Sequence, residues 1–451
     1  MKEFLKNIII NILPEQYFEF YNKIPNSFAV IREMGPIRLS VFLISIIVLF
    51  TLYLIFNRNN IKTYFKNFNK KIFYKNHFYN LAAISIFSFL VSFIFAKVYP
   101  DTYTFFYKST TGLTFYNPFL ISFLYMLTNI LFYFLAFSFF GNRNYALFSS
   151  LIWIFSSFHL MNLFSTPFRD YLKAPLFIIN FFLINLILKY SKKDILNITC
   201  LASLTFSFAL LFKADLLLLI PIYLFVILVH KNEKFIKNIY SIFIFIFTTY
   251  YFKFLTTSFA PDRTLQRLGG SLSNELFPFI KSYHSFSPPS DNAMFIQACA
   301  LYNCNNLKTF LIYLLANFEE MILKTFLVAK SVVLLPFSYG ILPDINYFIS
   351  KLFFIKFSVL KNIVIIDEIY LLIVFLVPLY LSYLKKEIIN IYYLIFFIYL
   401  CLVQSMPFHG RHYFYLEIFS ILIFVNLIRY FPKFFYKIKN QQYKFIHANK
   451  K

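Results

Sequence analysis

The sequence predicts an all-α polytopic membrane protein with about eleven transmembrane helices (range about 9–13). Two observations carry that expectation. Hydrophobic residues make up 60% of the 451-residue chain and charged residues only 14%, an apolar excess that a water-soluble fold has no core to hide. The net charge of +24 is concentrated in short segments between apolar runs, which fits membrane topology and excludes a nucleic-acid-binding face on a soluble domain. Phe, Ile, Asn, Lys and Tyr dominate the composition, as an A/T-rich coding sequence would also give, so aromatic richness by itself carries no functional weight.

Residues 1–38 contain Pro14, Glu15, Glu19, Pro25, Arg32, Glu33 and Pro36, too many breaks and charges for a span, and read as an interfacial segment. No short apolar core with a small-residue cleavage site opens the chain, so no removed signal peptide is expected. Leu39–Phe56 is the first expected span. The segment after it carries Arg58, Lys62, Lys66, Lys70, Lys71 and Lys75 without an acid, which places it in the cytoplasm by the positive-inside rule. Leu81–Val98 then runs outward to Pro100 and Asp101. Pro118–Phe140 returns to the turn at Gly141-Asn142-Arg143-Asn144, and Ala146–Phe164 comes out again.

Phe168-Arg169-Asp170-Tyr171-Leu172-Lys173 follows, a charged stretch between two long apolar runs. An ionised side chain at the bilayer centre costs at least ~2.5 kcal/mol, so such a stretch belongs at the water boundary. Arg169 and Asp170 fit either a site or a solvated pair on a short loop. Pro175–Leu188 goes inward to Lys189, Lys192 and Lys193. From Ile195 a pair of apolar runs is interrupted at Phe212-Lys213-Ala214-Asp215, with Pro221 expected one to two turns into the second run, and the hairpin closes at His230 to Lys237. Residues 39–258 thus form a transmembrane core.

Ile239–Phe254 leads into the long polar stretch Pro261–Lys308, a periplasmic loop in a bacterial cell. Leu307–Pro336 carries Asn317, Glu320 and Lys324 at helical spacing and reads as an interfacial amphipathic helix. Together with residues 343–368, whose lysines leave their nature open, this makes 259–368 an outer-face loop and interfacial region. Tyr370–Leu384, Ile388–Met406 and Glu417–Tyr430 supply the carboxy-terminal spans (369–430), and 431–451 is a basic cytoplasmic tail.

Ionisable residues collect at four outer junctions: Asp101, then Arg169 with Asp170 and Lys173, then Lys213 with Asp215, then His409, Arg411 and His412. Arg offers a bidentate fork and Lys a point charge to a lipid-linked phosphate, and a carboxylate in a partly desolvated cleft among them is suited to general-base work. Each cation taken singly also fits snorkelling at the interface. His409 and His412 lack a nearby Cys or third His, so no metal and no other cofactor is expected. An oxidising compartment would permit a disulfide between Cys299 and Cys304, whereas Cys200 and Cys401 lie within spans and read as small core residues.

The order of these features resembles the membrane glycosyltransferases of the C superfold (the GT-C superfamily), such as protein O-mannosyltransferases and lipid A aminoarabinose transferases. Pro100-Asp101-Thr102-Tyr103 is similar to their acidic residue after an early span, Gly141-Asn142-Arg143 to their Gly-Arg turn, and Arg169-Asp170-Tyr171 to their Arg-containing outer loop. Lys213-Ala214-Asp215 with Pro221 resembles their charged break before a proline-containing helix, and Gly410-Arg411-His412-Tyr413 their late Arg-aromatic motif. The resemblance covers residues 80–260 and 400–430. The early loop here has one acid where many members have a pair, and there is an extra amino-terminal span.

The resemblance implies transfer of a sugar from a polyprenyl-phosphate donor to a hydroxyl acceptor at the outer face of a bacterial inner membrane. Asp101 would be the base with Asp170 in reserve, and Arg169, Lys173, Lys213 and Arg411 would hold the phosphate. Tyr103, Asp215, His409 and His412 would contact substrate. The expected partners are the lipid-linked donor and the bilayer, with no nucleic acid. An O-antigen polymerase or ligase, which also uses outer arginines and a large periplasmic loop, is the second reading. A lipid flippase or transporter is the third, disfavoured by the few glycines available for broken helices.

Overall fold

A computed structural model describes residues 15–22, 29–58, 75–98, 118–155, 159, 173–189, 195–212, 216, 219–230, 235–256, 322, 389–403, 418–426 and 428–430. The described residues are almost entirely helical and contain no strand. In order they form α1 (Glu15–Asn22), α2 (Ala29–Phe56), α3 (Lys75–Val98), α4 (Pro118–Phe140), α5 (Arg143–Ile154) and α6 (Lys173–Lys189). There follow α7 (Ile195–Leu210), α8 (Ile220–Val229), α9 (Phe235–Thr256), α10 (Ile389–Val403) and the apolar helix α11 (Ile418–Tyr430). Among the described residues three stretches are long and apolar enough to cross a membrane: Met34–Phe56, Ser122–Phe140 and Phe235–Thr256. In the first of these only 17% of the most apolar window is buried. Ile44, Ile47, Val48 and Ile55 of α2 and Phe243, Phe247, Tyr250 and Phe254 of α9 all stand exposed, an apolar surface that lipid accommodates and water does not.

The first span begins earlier than Leu39, because α2 carries its breaks inside it. Gly35 takes φ 75°, open to glycine at little steric cost, and Pro36 follows. Proline has no N–H for the carbonyl of Arg32, four residues back. The Tyr21 hydroxyl of α1 supplies that donor at 2.5 Å and also reaches the Ile31 carbonyl at 3.2 Å. The Pro36 carbonyl in turn accepts from Tyr17 (3.0 Å) and Ser40 (2.9 Å). Helix α1 exposes Glu15 and Glu19 and buries Tyr21 in a small cluster with Met34, Leu39, Phe42 and Phe252.

Helix directions follow from side-chain contacts. In α3 and α4, His77 Nδ1 lies 2.7 Å from the Tyr133 hydroxyl, Asn129 donates to Ser88 at 3.0 Å, and Phe93 sits 6.1 Å from Phe119, so the pair is antiparallel. Helix α6 runs parallel to α4, since Asn185 (2.6 Å) and Lys189 (2.5 Å) both donate to Ser138 near their carboxy-terminal ends. Tyr223 of α8 donates to Asn180 of α6 at 2.8 Å and contacts Phe245 of α9 at 4.8 Å, while Asn238 of α9 donates to the His230 carbonyl at 2.9 Å. Helix α8 is therefore parallel to α6 and antiparallel to α9. Phe42–Phe252 (4.8 Å) and Ser45–Tyr251 (3.0 Å) set α2 antiparallel to α9, and Tyr393 against Phe139 (4.8 Å) starts α10 beside the last turn of α4.

These contacts define two ends of one bundle. The Gly141 end holds the last turn of α2, the first turn of α3, Gly141-Asn142, Lys189 and His230. The Pro118 end holds the last turn of α3 and the first turns of α4, α6 and α8. At the Gly141 end the chain reverses on Gly141 (φ 64°), whose N–H closes α4 on the Phe137 carbonyl at 2.8 Å. Asn142 then caps α5 by accepting from the Asn144 N–H at 2.9 Å.

Two expected elements differ. The continuous run Ala146–Phe164 is interrupted: α5 has 12 residues, about 18 Å of helix against a hydrocarbon layer of about 30 Å. It ends at Phe155 (φ −94°, ψ 7°), whose N–H bonds the Leu151 carbonyl at 3.3 Å; the Tyr125 hydroxyl donates to the Ile154 carbonyl at 2.5 Å, and His159 is helical again. Pro221 sits in the first turn of α8 rather than one to two turns in, a position where the missing N–H costs nothing. Leu307–Pro336 lies outside the described residues save for Ile322, which is helical and exposed. Residues 343–368, the span Tyr370–Leu384, the loop Pro261–Lys308 with Cys299 and Cys304, and the basic tail lie outside them altogether. Cys401 is buried and Cys200 half-buried.

Candidate functional site

Asp101, Tyr103, Arg169, Asp170, Lys213, Asp215, His409, Arg411 and His412 lie outside the described residues. Lys173 opens α6 at the Pro118 end. The helices that flank these positions are described, and the directions above settle which of their ends they offer. Val98 and Pro118, on either side of 99–117, are at the Pro118 end; so are Lys173 after 160–172, and Leu210 and Ile220 on either side of the segment with Lys213. Helix α10 points its carboxy terminus, before 404–417, the same way. The structure thus brings both flanks of 99–117 and of the segment with Lys213, the Lys173 flank of 160–172 and the α10 flank of 404–417 to one end, and the Gly141-Asn142-Arg143 turn to the opposite one. The other flank of 404–417 does not follow, because Phe419 in the first turn of α11 packs on Phe181 of mid-α6 (4.5 Å) and on Tyr393 near the start of α10 (5.4 Å).

A buried polar group joined by hydrogen bonds and ring stacking lies beneath that end, where α5 stops. Tyr125 and Phe132 are i, i+7 on α4, two turns apart on one face and about 10.5 Å in rise. Two rings intercalate between them. His159 stacks on Tyr125 (4.5 Å between centroids, 17° between planes) and on Trp153 (4.3 Å, 20°), and Trp153 stacks on Phe132 (4.9 Å, 17°). All four side chains are fully buried.

His159 also has a directional contact. Its Nε2 lies 3.0 Å from Asn129 Oδ1, and Asn129 Nδ2 donates to Ser88 Oγ at 3.0 Å. With the amide oriented that way, Nε2 is the ring nitrogen that carries the proton. The chain Ser88–Asn129–His159 ties α3 and α4 to the exit of α5. Burial closes this cluster to any substrate, so its chemistry is positional. The indole N–H of Trp153 is buried with no acceptor among the described residues.

The Gly141 end has its own polar ties. Lys189 caps α4 by donating to the carbonyls of Ser138 and Phe139, both at 2.5 Å, with its ammonium 5.6 Å above the Phe139 ring. Asn80 reaches Tyr133 (3.3 Å) and the Arg143 carbonyl (3.4 Å). Among the described residues no three His, Cys, Asp or Glu side chains converge as a metal set.

Sequence reading passed over His159, Asn129 and Ser88. The available signal was the presence of an ionisable His159 and an amide, Asn129, inside apolar runs, where polar groups are retained only with partners. No family model matches the chain, and comparison with curated proteins and with solved structures gives no match either.

Proposed function

We propose that this protein is a membrane glycosyltransferase that moves a sugar from a polyprenyl-phosphate donor to a hydroxyl acceptor at the Pro118 end, the outer face of a bacterial inner membrane crossed about eleven times. One observation supports the reading above the others: the helix ends on both sides of 99–117 and of the segment with Lys213, together with the first turn of α6 and the end of α10, point the same way. The basic acid-poor segment 59–74 adjoins the opposite, Gly141 end, as a cytoplasmic face requires.

In this reading the acceptor hydroxyl attacks the anomeric carbon and Asp101 takes its proton, with Asp170 as the alternative base. The sugar–phosphate C–O bond breaks, and the lipid phosphate leaves with the bonding electrons. Arg169, Lys173, Lys213 and Arg411 stabilise that anion, Arg169 through a planar fork. Tyr103, Asp215, His409 and His412 line the sugar and acceptor.

The test is transfer from lipid-linked sugars extracted from a deletion strain, measured at equal expression of each variant. Asp101→Asn loses activity by ~10²- to 10⁴-fold. Arg169→Ala weakens donor binding, and Arg169→Lys recovers part of it. A fully active Asp101→Asn beside an inactive Asp170→Asn moves the base to Asp170. Full activity in both removes the transferase reading.

A further inference from the structure

We propose that the junction of α3 and α5 at the Gly141 end is a phosphate-binding site, with Arg143 as its charged ligand and the headgroup of an anionic phospholipid as the group it takes. This goes beyond the transferase reading and does not depend on it. Arg143 is the first residue of α5 and half-buried, and its side chain has no hydrogen-bond or ion-pair partner among the described residues. The described acids, Glu15, Glu19 and Glu33, all lie in α1 or at the start of α2, at the opposite end of the bundle. A cation at a helix amino terminus sits against the positive pole of the helix dipole, so the position becomes favourable when an anion lies beside it.

The neighbouring groups are donors too. Asn80 donates to the Arg143 carbonyl at 3.4 Å, which holds the start of α3 against the start of α5, and also to the buried Tyr133 hydroxyl at 3.3 Å. With one lone pair so taken, the Tyr133 hydroxyl gives its own proton to His77 Nδ1, 2.7 Å away, and the ring proton sits on Nε2. His77 is only 7% exposed, and its Nε2 has no partner among the described residues. The ring lies in the first turn of α3, ahead of the span that starts at Leu81. Burial first, and the nearby Arg143 charge second, hold its imidazole below the ordinary value of 6.5, so it stays a neutral donor. On α5 the N–H groups of Asn144 and Ala146 bond to Asn142, whereas those of Arg143 and Tyr145 have no acceptor among the described residues. A guanidinium, an imidazole N–H and two helix-terminal amides form a donor set that phosphate oxygens complement. Phe78 and Tyr79, next to His77 in the chain, are two-thirds exposed and offer apolar surface to an acyl chain, which favours a phospholipid over free phosphate.

Lipid binding to the full chain in mild detergent tests the proposal, read by native mass spectrometry during titration with phosphatidylglycerol, phosphatidylcholine or inorganic phosphate. The parent binds phosphatidylglycerol about tenfold more tightly than phosphatidylcholine. Arg143→Gln lowers phosphatidylglycerol affinity by about tenfold, and Arg143→Lys, which keeps the charge and loses the fork, falls between the two. Asn80 holds the Arg143 carbonyl and not its side chain, so neither change undoes the contact between α3 and α5. Lys237→Gln, which removes a cation of α9 at the same end, shifts affinity by less than about twofold. Unchanged affinity in Arg143→Gln overturns the proposal, and so does an equal loss in Lys237→Gln, since that is a diffuse positive field rather than a site. Competition separates the two sources of phosphate. Displacement of the lipid by millimolar inorganic phosphate upholds the site and assigns it to a soluble phosphate, and retention of the lipid assigns it to the phospholipid.

Discussion

The joint between α3, α4 and the exit of α5 and the joint between α7 and α9 are built differently. The first is polar and directional: Ser88, Asn129 and His159 in series, with four rings stacked beside them. The second relies on fit. Phe206 meets Phe245 at 5.6 Å, while the buried hydroxyls of Ser207, Ser241 and Thr249 have no hydrogen-bond partner among the described residues. Small residues let two helices approach closely, and in lipid that packing is itself a main source of association. The contrast teaches that polar atoms serve two purposes in this interior. In one joint they specify an orientation; in the other they matter for being small.

Substitutions test this division, the largest effect first. Trp153→Ala removes the central ring of the stack and leaves a cavity, and lowers stability by about 3–5 kcal/mol in reversible unfolding from bicelles. Asn129→Leu strands both Ser88 and His159 and costs roughly 1–3 kcal/mol in the same measurement. Ser207→Ala and Thr249→Val stay within ~0.5 kcal/mol of the parent, because each removes a hydroxyl that had no bond to lose. A loss above ~1 kcal/mol for either would show that the α7–α9 joint is also hydrogen-bonded, and the contrast would fail.

A pH titration sharpens the comparison further. At the Gly141 end, burial holds the His230 imidazole below the ordinary histidine value of 6.5, and a hydrogen bond to the Ile187 backbone pulls it only partway back. A depressed histidine binds fewer protons folded than unfolded, so its contribution is complete above pH 6.5 and falls away as the pH drops below that value. Unfolding between pH 7.5 and 5 should show that slope, and His230→Gln should flatten it.

The helices were legible because hydropathy reports them directly. Pro118–Phe140 is an expected boundary and an observed one, and Lys173–Lys189 and Ile389–Val403 fall within a few residues of expectation. The break after Ile154 was only partly legible: Ser156, Ser157, His159 and Asn162 mark the second half of Ala146–Phe164 as more polar, but the point where α5 ends is not written in them. The elbow at Gly35–Pro36 was visible as a breaker, but whether it ends a helix or bends one depends on Tyr21, in a separate helix. Of the candidate site, the sequence exposes charged residues and their alternation between ends. It does not expose the stack beneath them, because Tyr125 and Phe132 at i, i+7 look like any core stripe until the rings between them are known.

The hydroxyl of Tyr21 stands in for a backbone donor that Pro36 lacks, and this imposes an order on biogenesis. A ribosome delivers α1 before α2, so the substitute donor is already made when the bare Arg32 carbonyl reaches the membrane. Tyr21→Phe should therefore show in insertion yield as well as in the stability of protein already inserted, and pulse-chase protease protection separates the two.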